Sequence, residues 1–188
     1  MIRFAMVEIL PAAVFLVPLY WLLHKFYFHD LPKTLFCFLF AFYLCAVYAL
    51  VGLPNITYIR FDPSGNLIPF RDMLKGLRST LQNILLFVPL GMFLPLFGYG
   101  FRRMKNTVLF GLGMSLVIET AQIFTYRATD VNDLITNTVG TLLGFFLGNI
   151  LRRVIPLQLP DSRRDLSVTI GVSVCIMFFL QPFLVALL

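Results

Sequence analysis

Charge is scarce in this chain. Of its 188 residues only 13% are Asp, Glu, Lys or Arg, about half the ~25% of an ordinary soluble domain. A soluble fold with so little charge would expose large apolar patches. Histidine is rarer still, with only His24 and His29, and there are three cysteines, Cys37, Cys45 and Cys175, each inside an apolar run. Cys37 and Cys45 on one helix would stand about 12 Å apart by rise, beyond disulfide reach. No zinc-like ligand spacing and no Ser-His or reactive-Cys context is present, so a disulfide scaffold, a structural zinc site and a nucleophilic triad are set aside. No metal or other cofactor is expected.

Apolar side chains, in contrast, are abundant. They make up 59% of the chain, with 21 Phe and 7 Tyr, against about 45–50% in soluble domains. So many aromatic residues exclude a solvated, disordered chain. Mean hydropathy is +0.87, and the solvent that suits such a chain is a bilayer. The net charge of +6 does not point to nucleic acid, because the Lys and Arg fall in short clusters between apolar runs, the pattern of a topology signal.

Six runs approach the twenty or so apolar residues that a bilayer core requires: Phe4–Leu23, Leu35–Leu53, Thr80–Gly98, Thr107–Thr125, Asp133–Leu151 and Leu166–Leu187. They are too long for strands and lack alternation, so the expected fold is all-α, a polytopic membrane bundle of about six helices. Arg3 ahead of an apolar run, with Ala12 and Ala13 following, has the beginnings of a signal peptide. The run continues to Tyr20 and Trp21 without a cleavage site, however, and is read as a membrane helix. Residues 1–34 form this helix and its loop, 35–152 a core of four helices with an interfacial segment, and 153–188 a basic loop and final helix.

Orientation follows from the cations. Lys25, Lys33, Arg102, Arg103, Lys105, Arg152, Arg153, Arg163 and Arg164 fall on one side, nine in all. Arg3, Arg60, Arg71, Lys75, Arg78 and Arg127 fall on the other, six in all. The positive-inside rule makes the first side cytoplasmic and puts both termini outside. The long outer loop carries a turn signal at Pro63-Ser64-Gly65-Asn66. In the segment Phe70–Arg78 beyond it, Phe70, Met73, Leu74 and Leu77 share one helical face, so it is expected to lie flat at the headgroups.

Polar residues inside membrane helices are costly and tend to face a bundle interior or a cavity. Glu119 is the clearest, with Gln122, Ser115 and Gly111 on the same face of the fourth helix. The fifth helix opens with Asp130 and Asp133, followed by Asn137 and then Gly140, Gly144 and Gly148, a stripe suited to close helix contact. Asp130 and Asp133 also suit simple capping of a helix N-terminus. Asn83 and, deeper, Gly91 lie on the third helix. With Asn66 and Arg127, these polar groups would gather near the outer leaflet. They would line a ligand-facing vestibule or, on the plainer reading, form structural pairs such as Glu119 or Asp133 with Arg127.

Three blocks here resemble the VanZ-like family: Asn66-Leu67-Ile68-Pro69-Phe70; Asn83-Ile84-Leu85-Leu86-Phe87-Val88-Pro89-Leu90-Gly91; and Glu119-x-x-Gln122 with Ala128-Thr129-Asp130-x-x-Asp133 and Ile135-Thr136-Asn137-Thr138-Val139-Gly140. The likeness covers roughly residues 50–152, and the first helix looks like an addition to the family core. The resemblance implies a bacterial plasma-membrane protein, some relatives of which lower susceptibility to teicoplanin-type glycopeptides. On this basis the expected ligand-binding set is Asn66, Asn83, Glu119, Gln122, Arg127, Asp130, Asp133 and Asn137. Its expected partners are membrane lipids and a lipid-linked peptidoglycan precursor or lipoglycopeptide, with no nucleic acid. Two other readings stay open. A membrane-embedded hydrolase or transferase would use Glu119 with Asp130 or Asp133 as acid and base. A transporter is hinted at by third and fifth helices that both open on an Asn-containing turn and end near Arg-Arg.

Overall fold

The computed structural model of the protein describes residues 2–71, 76–125, 129–154 and 163–187. Six long helical segments dominate it: α1 (Ile2–Leu23), α2 (Leu31–Val51), α3 (Leu77–Phe97), α4 (Met104–Gln122), α5 (Val131–Val154) and α6 (Arg163–Cys175). A π-turn at Ile176–Leu180 and a last turn at Gln181–Val185 prolong α6. The all-α expectation holds. Pro11–Phe28, Leu31–Val51, Leu77–Phe97, Val131–Val154 and Arg163–Val185 are long and apolar enough to cross a membrane. The remaining helix, α4, has 19 residues, but Lys105, Asn106, Glu119 and Gln122 dilute its apolar character. The segment expected to lie flat at the headgroups includes residues 72–75, which fall outside the described residues, and α3 already begins at Leu77.

The chain forms two compact units, one of residues 1–59 with 163–188 and the other of residues 60–162. In the first, α2 and α6 run parallel. Lys33 Nζ meets Asp165 Oδ2 at 2.6 Å, and two turns further on Ser173 Oγ donates to the Ala41 carbonyl at 3.4 Å. Apolar side chains from three helices fill the space between them, Leu16 from α1, Phe36, Phe40 and Leu44 from α2, and Ile176 and Met177 beyond α6. Cys37 and Cys45 are buried free thiols in α2 and Cys175 is exposed.

The second unit is built on α3 and α5, which also run parallel. A Cβ placed at Gly140, Gly144 or Gly148 would fall on the carbonyl oxygen of Ile84, Val88 or Met92 in turn. From the other side, a Cβ at Gly91 would fall on the Thr141 carbonyl. Every step of four along α5 thus meets a step of four along α3, with the backbones touching through glycine, as small-residue membrane interfaces do. Helix α4 packs on another face of α5 in the antiparallel sense. Asn137 Nδ2 donates to Ser115 Oγ at 2.9 Å, and one turn along, Gly111 lies against Thr141. The N-termini of α3 and α5 and the C-terminus of α4 therefore share one end of this unit.

Candidate functional site

That shared end is tied together by backbone pairing. Beyond the first unit, Arg60 N–H donates to the Phe124 carbonyl at 3.0 Å and Asp62 N–H to the Ile123 carbonyl at 2.7 Å, lacing the loop onto the end of α4. Asp62 Oδ1 accepts the Ser64 N–H at 3.0 Å, which starts the turn expected at Pro63–Asn66. Gly65–Asn66 then pairs in parallel with Thr129–Asp130, a two-residue ribbon (β1 and β2). Glycine is needed at 65 because a Cβ there would lie 2.5 Å from the Thr129 carbonyl oxygen.

The polar side chains fill the angle between ribbon and helices. Glu119 Oε2, one turn before α4 ends, accepts the backbone N–H of Asp130 at 2.9 Å. Asp130 Oδ1 accepts Asn66 Nδ2 at 3.1 Å and the Asn132 N–H at 2.9 Å. The second of these bonds caps α5, so Asp130 performs the capping role while also binding Asn66. Asn66 Oδ1 turns back to accept the Ile68 N–H at 3.2 Å. The segment around residue 66 is joined to those around 119 and 130, more than fifty positions away, by side chains expected to meet.

Asn132 completes the arrangement and was not among the residues singled out from sequence. Its Oδ1 accepts the Phe70 N–H at 2.7 Å, and its Nδ2 donates to the Arg71 carbonyl at 3.0 Å. The amide thus clamps the 66–71 turn at two points from the first turn of α5. Phe70 sits in the left-handed region, φ 63°, a conformation costing a non-glycine residue roughly 1–2 kcal/mol. The sequence offers one cue to Asn132, its place two residues after a capping aspartate, since its partners lie about sixty positions away.

The other expected residues lie around this network. Asn137 is buried but bonds Ser115 rather than the Asn66–Asp130 cluster. Gln122 is buried at the last turn of α4, and Asp133 lies half-buried in the first turn of α5. Asn83 is half-buried on α3, and none of the hydrogen bonds traced above reaches it. Arg127, and with it any pairing to Glu119 or Asp133, falls outside the described residues. Among the described residues, no three His, Cys, Asp or Glu side chains gather as metal ligands. Carboxylate and amide oxygens predominate, and these groups complement hydroxyl, amide and ammonium donors.

Residues 40–152 match the VanZ/LLP1 family model. The chain belongs to the VanZ/LLP1 family. The match contains every residue of the Glu119–Asp130–Asn66–Asn132 network. Protein VanZ of Enterococcus faecium is 38% identical over 85 residues, 44% of this chain and 50% of that protein. The chain therefore spans about half the length of this curated relative. No solved structure matches the chain.

Proposed function

We propose that this membrane protein of the VanZ/LLP1 family lowers susceptibility to teicoplanin-type glycopeptides. It would do so by binding, at an extracytoplasmic polar site, a lipid-linked envelope precursor or the lipoglycopeptide itself. The observation carrying this reading is the convergence of Asn66 from one family-like block and Glu119 and Asp130 from another on one hydrogen-bonded network at one end of the second unit. Two carboxylates and two amides thus gather at one end of otherwise apolar helices, where each polar group costs several kcal/mol unless satisfied. Sugars and peptides carry the hydroxyl and amide donors that such a cluster takes, and the cation distribution favours its placement outside.

The test is drug tolerance in a susceptible bacterium expressing the protein. Glu119→Gln keeps an oxygen able to accept the Asp130 N–H but removes the charge, so the fold should be retained. The expected result is loss of tolerance at unchanged protein abundance. Full tolerance at matched abundance would return Glu119 to a purely structural role. Incubating purified protein with labelled lipid-linked precursor then separates binding from turnover or movement, according to whether the label is retained, altered or carried across a vesicle membrane.

A further inference from the structure

The turn that the polar network holds in place presents the opposite chemistry outward. Leu67 is 78% exposed, Ile68 55% and Phe70 70%, three large apolar side chains within four residues. Their backbone is fixed on the protein side by Asn66 and by the Asn132 clamp. Phe70 adopts a left-handed conformation that the Asn132 clamp holds in place, while its side chain stays 70% exposed. The protein thus fixes the backbone of the turn and leaves its apolar side chains uncovered.

We infer that the Leu67–Phe70 turn is immersed in the lipid at the interface of the leaflet where α5 enters the membrane. Asn132, which grips the turn, is the second residue of α5, and Val131–Val154 is long and apolar enough to cross. The turn is therefore fixed at the height where that span begins, and its side chains meet acyl chains and glycerol backbones. Lipid removes the cost of exposing three large apolar side chains to water. The inference does not depend on which ligand the polar network takes.

Tryptophan scanning in nanodiscs of defined phospholipid tests this. Trp21 is the only tryptophan and would be replaced by Phe. Leu67→Trp and, separately, Ile68→Trp then place a reporter on the turn, with Ser64→Trp as the exposed control beside it. Both turn reporters should lose most of their emission to lipids brominated near the top of the acyl chain and resist aqueous iodide, while Ser64→Trp responds to iodide. Quenching of the turn reporters by iodide alone would overturn the inference. So would protection from both quenchers, which would mean that a protein surface, from a second copy or a partner, covers the turn. Because the changed side chains are exposed, the fold should survive, and a monodisperse nanodisc peak for each variant checks it.

Discussion

At the scale of single residues, the polar network is an exchange of costs. A buried carboxylate such as Glu119 is tolerated because a backbone N–H meets it at 2.9 Å, and Asp130 serves α5 and Asn66 at once. Asn132 is the hinge of the arrangement, since its amide meets both the Phe70 N–H and the Arg71 carbonyl. Asn132→Ala removes both bonds and leaves a part-buried donor and acceptor unmet, which costs about 1–3 kcal/mol. Phe70→Gly acts in the other direction, relieving a left-handed conformation worth roughly 1–2 kcal/mol. Thermal unfolding in detergent should therefore rank Phe70→Gly at or above the parent and Asn132→Ala clearly below it. An unchanged midpoint for Asn132→Ala would mean that the Asn66 contacts to Asp130 and Ile68 are enough to hold the turn.

At the scale of elements, the α3–α5 pair shows what sequence could and could not foretell. The glycine stripe at 140, 144 and 148 announced a close contact from spacing alone. Its partner was not announced, because a stripe of small residues fits any helix whose backbone can approach. In the structure the partner is α3, and the contact is reciprocal. Gly144 sits on the Val88 carbonyl and Gly91 on the Thr141 carbonyl, within matching stretches Leu90-Gly91-Met92-Phe93-Leu94 and Leu143-Gly144-Phe145-Phe146-Leu147. The hint of likeness between the third and fifth helices rested on their Asn and Arg-Arg ends, whereas the geometry ties it to these glycine-centred stretches. The ribbon of Gly65–Asn66 with Thr129–Asp130 was out of reach for a different reason. Two residues carry no period, and their pairing is decided by how α4 and α5 bring the loops together. Gly144→Leu should push the two helices apart and remove the folded protein from detergent extracts. Gly113→Ala is the control, since a Cβ there meets nothing within 4 Å and should leave stability unchanged or raise it by up to about 1 kcal/mol. Comparable yields for Gly144→Leu and Gly113→Ala in size-exclusion profiles would refute tight backbone packing at this seam.

At the scale of the whole molecule, the hydrogen bonds of the second unit put Ser64 and the polar network at the end where α3 and α5 begin. The turn around Gly100, whose carbonyl accepts Asn106 Nδ2 at 2.7 Å, lies at the end where α4 begins. Which end faces the cytoplasm rests on the cations, nine against six, and on the rule that Lys and Arg near helix ends are retained inside. The imbalance is modest, so a direct measurement decides it. With Cys175 replaced by Ala, and Cys37 and Cys45 left buried in α2, a membrane-impermeant maleimide on intact cells reports single exposed cysteines. Ser64→Cys should label on intact cells. Asp30→Cys, between α1 and α2, and Lys105→Cys, at the start of α4, should label only after lysis. The reverse pattern would place the Glu119–Asp130–Asn66 network on the cytoplasmic side. A drug acting outside the membrane could then not reach it, and the proposed function would fail with the orientation, while the lipid-immersed turn would stand in the other leaflet.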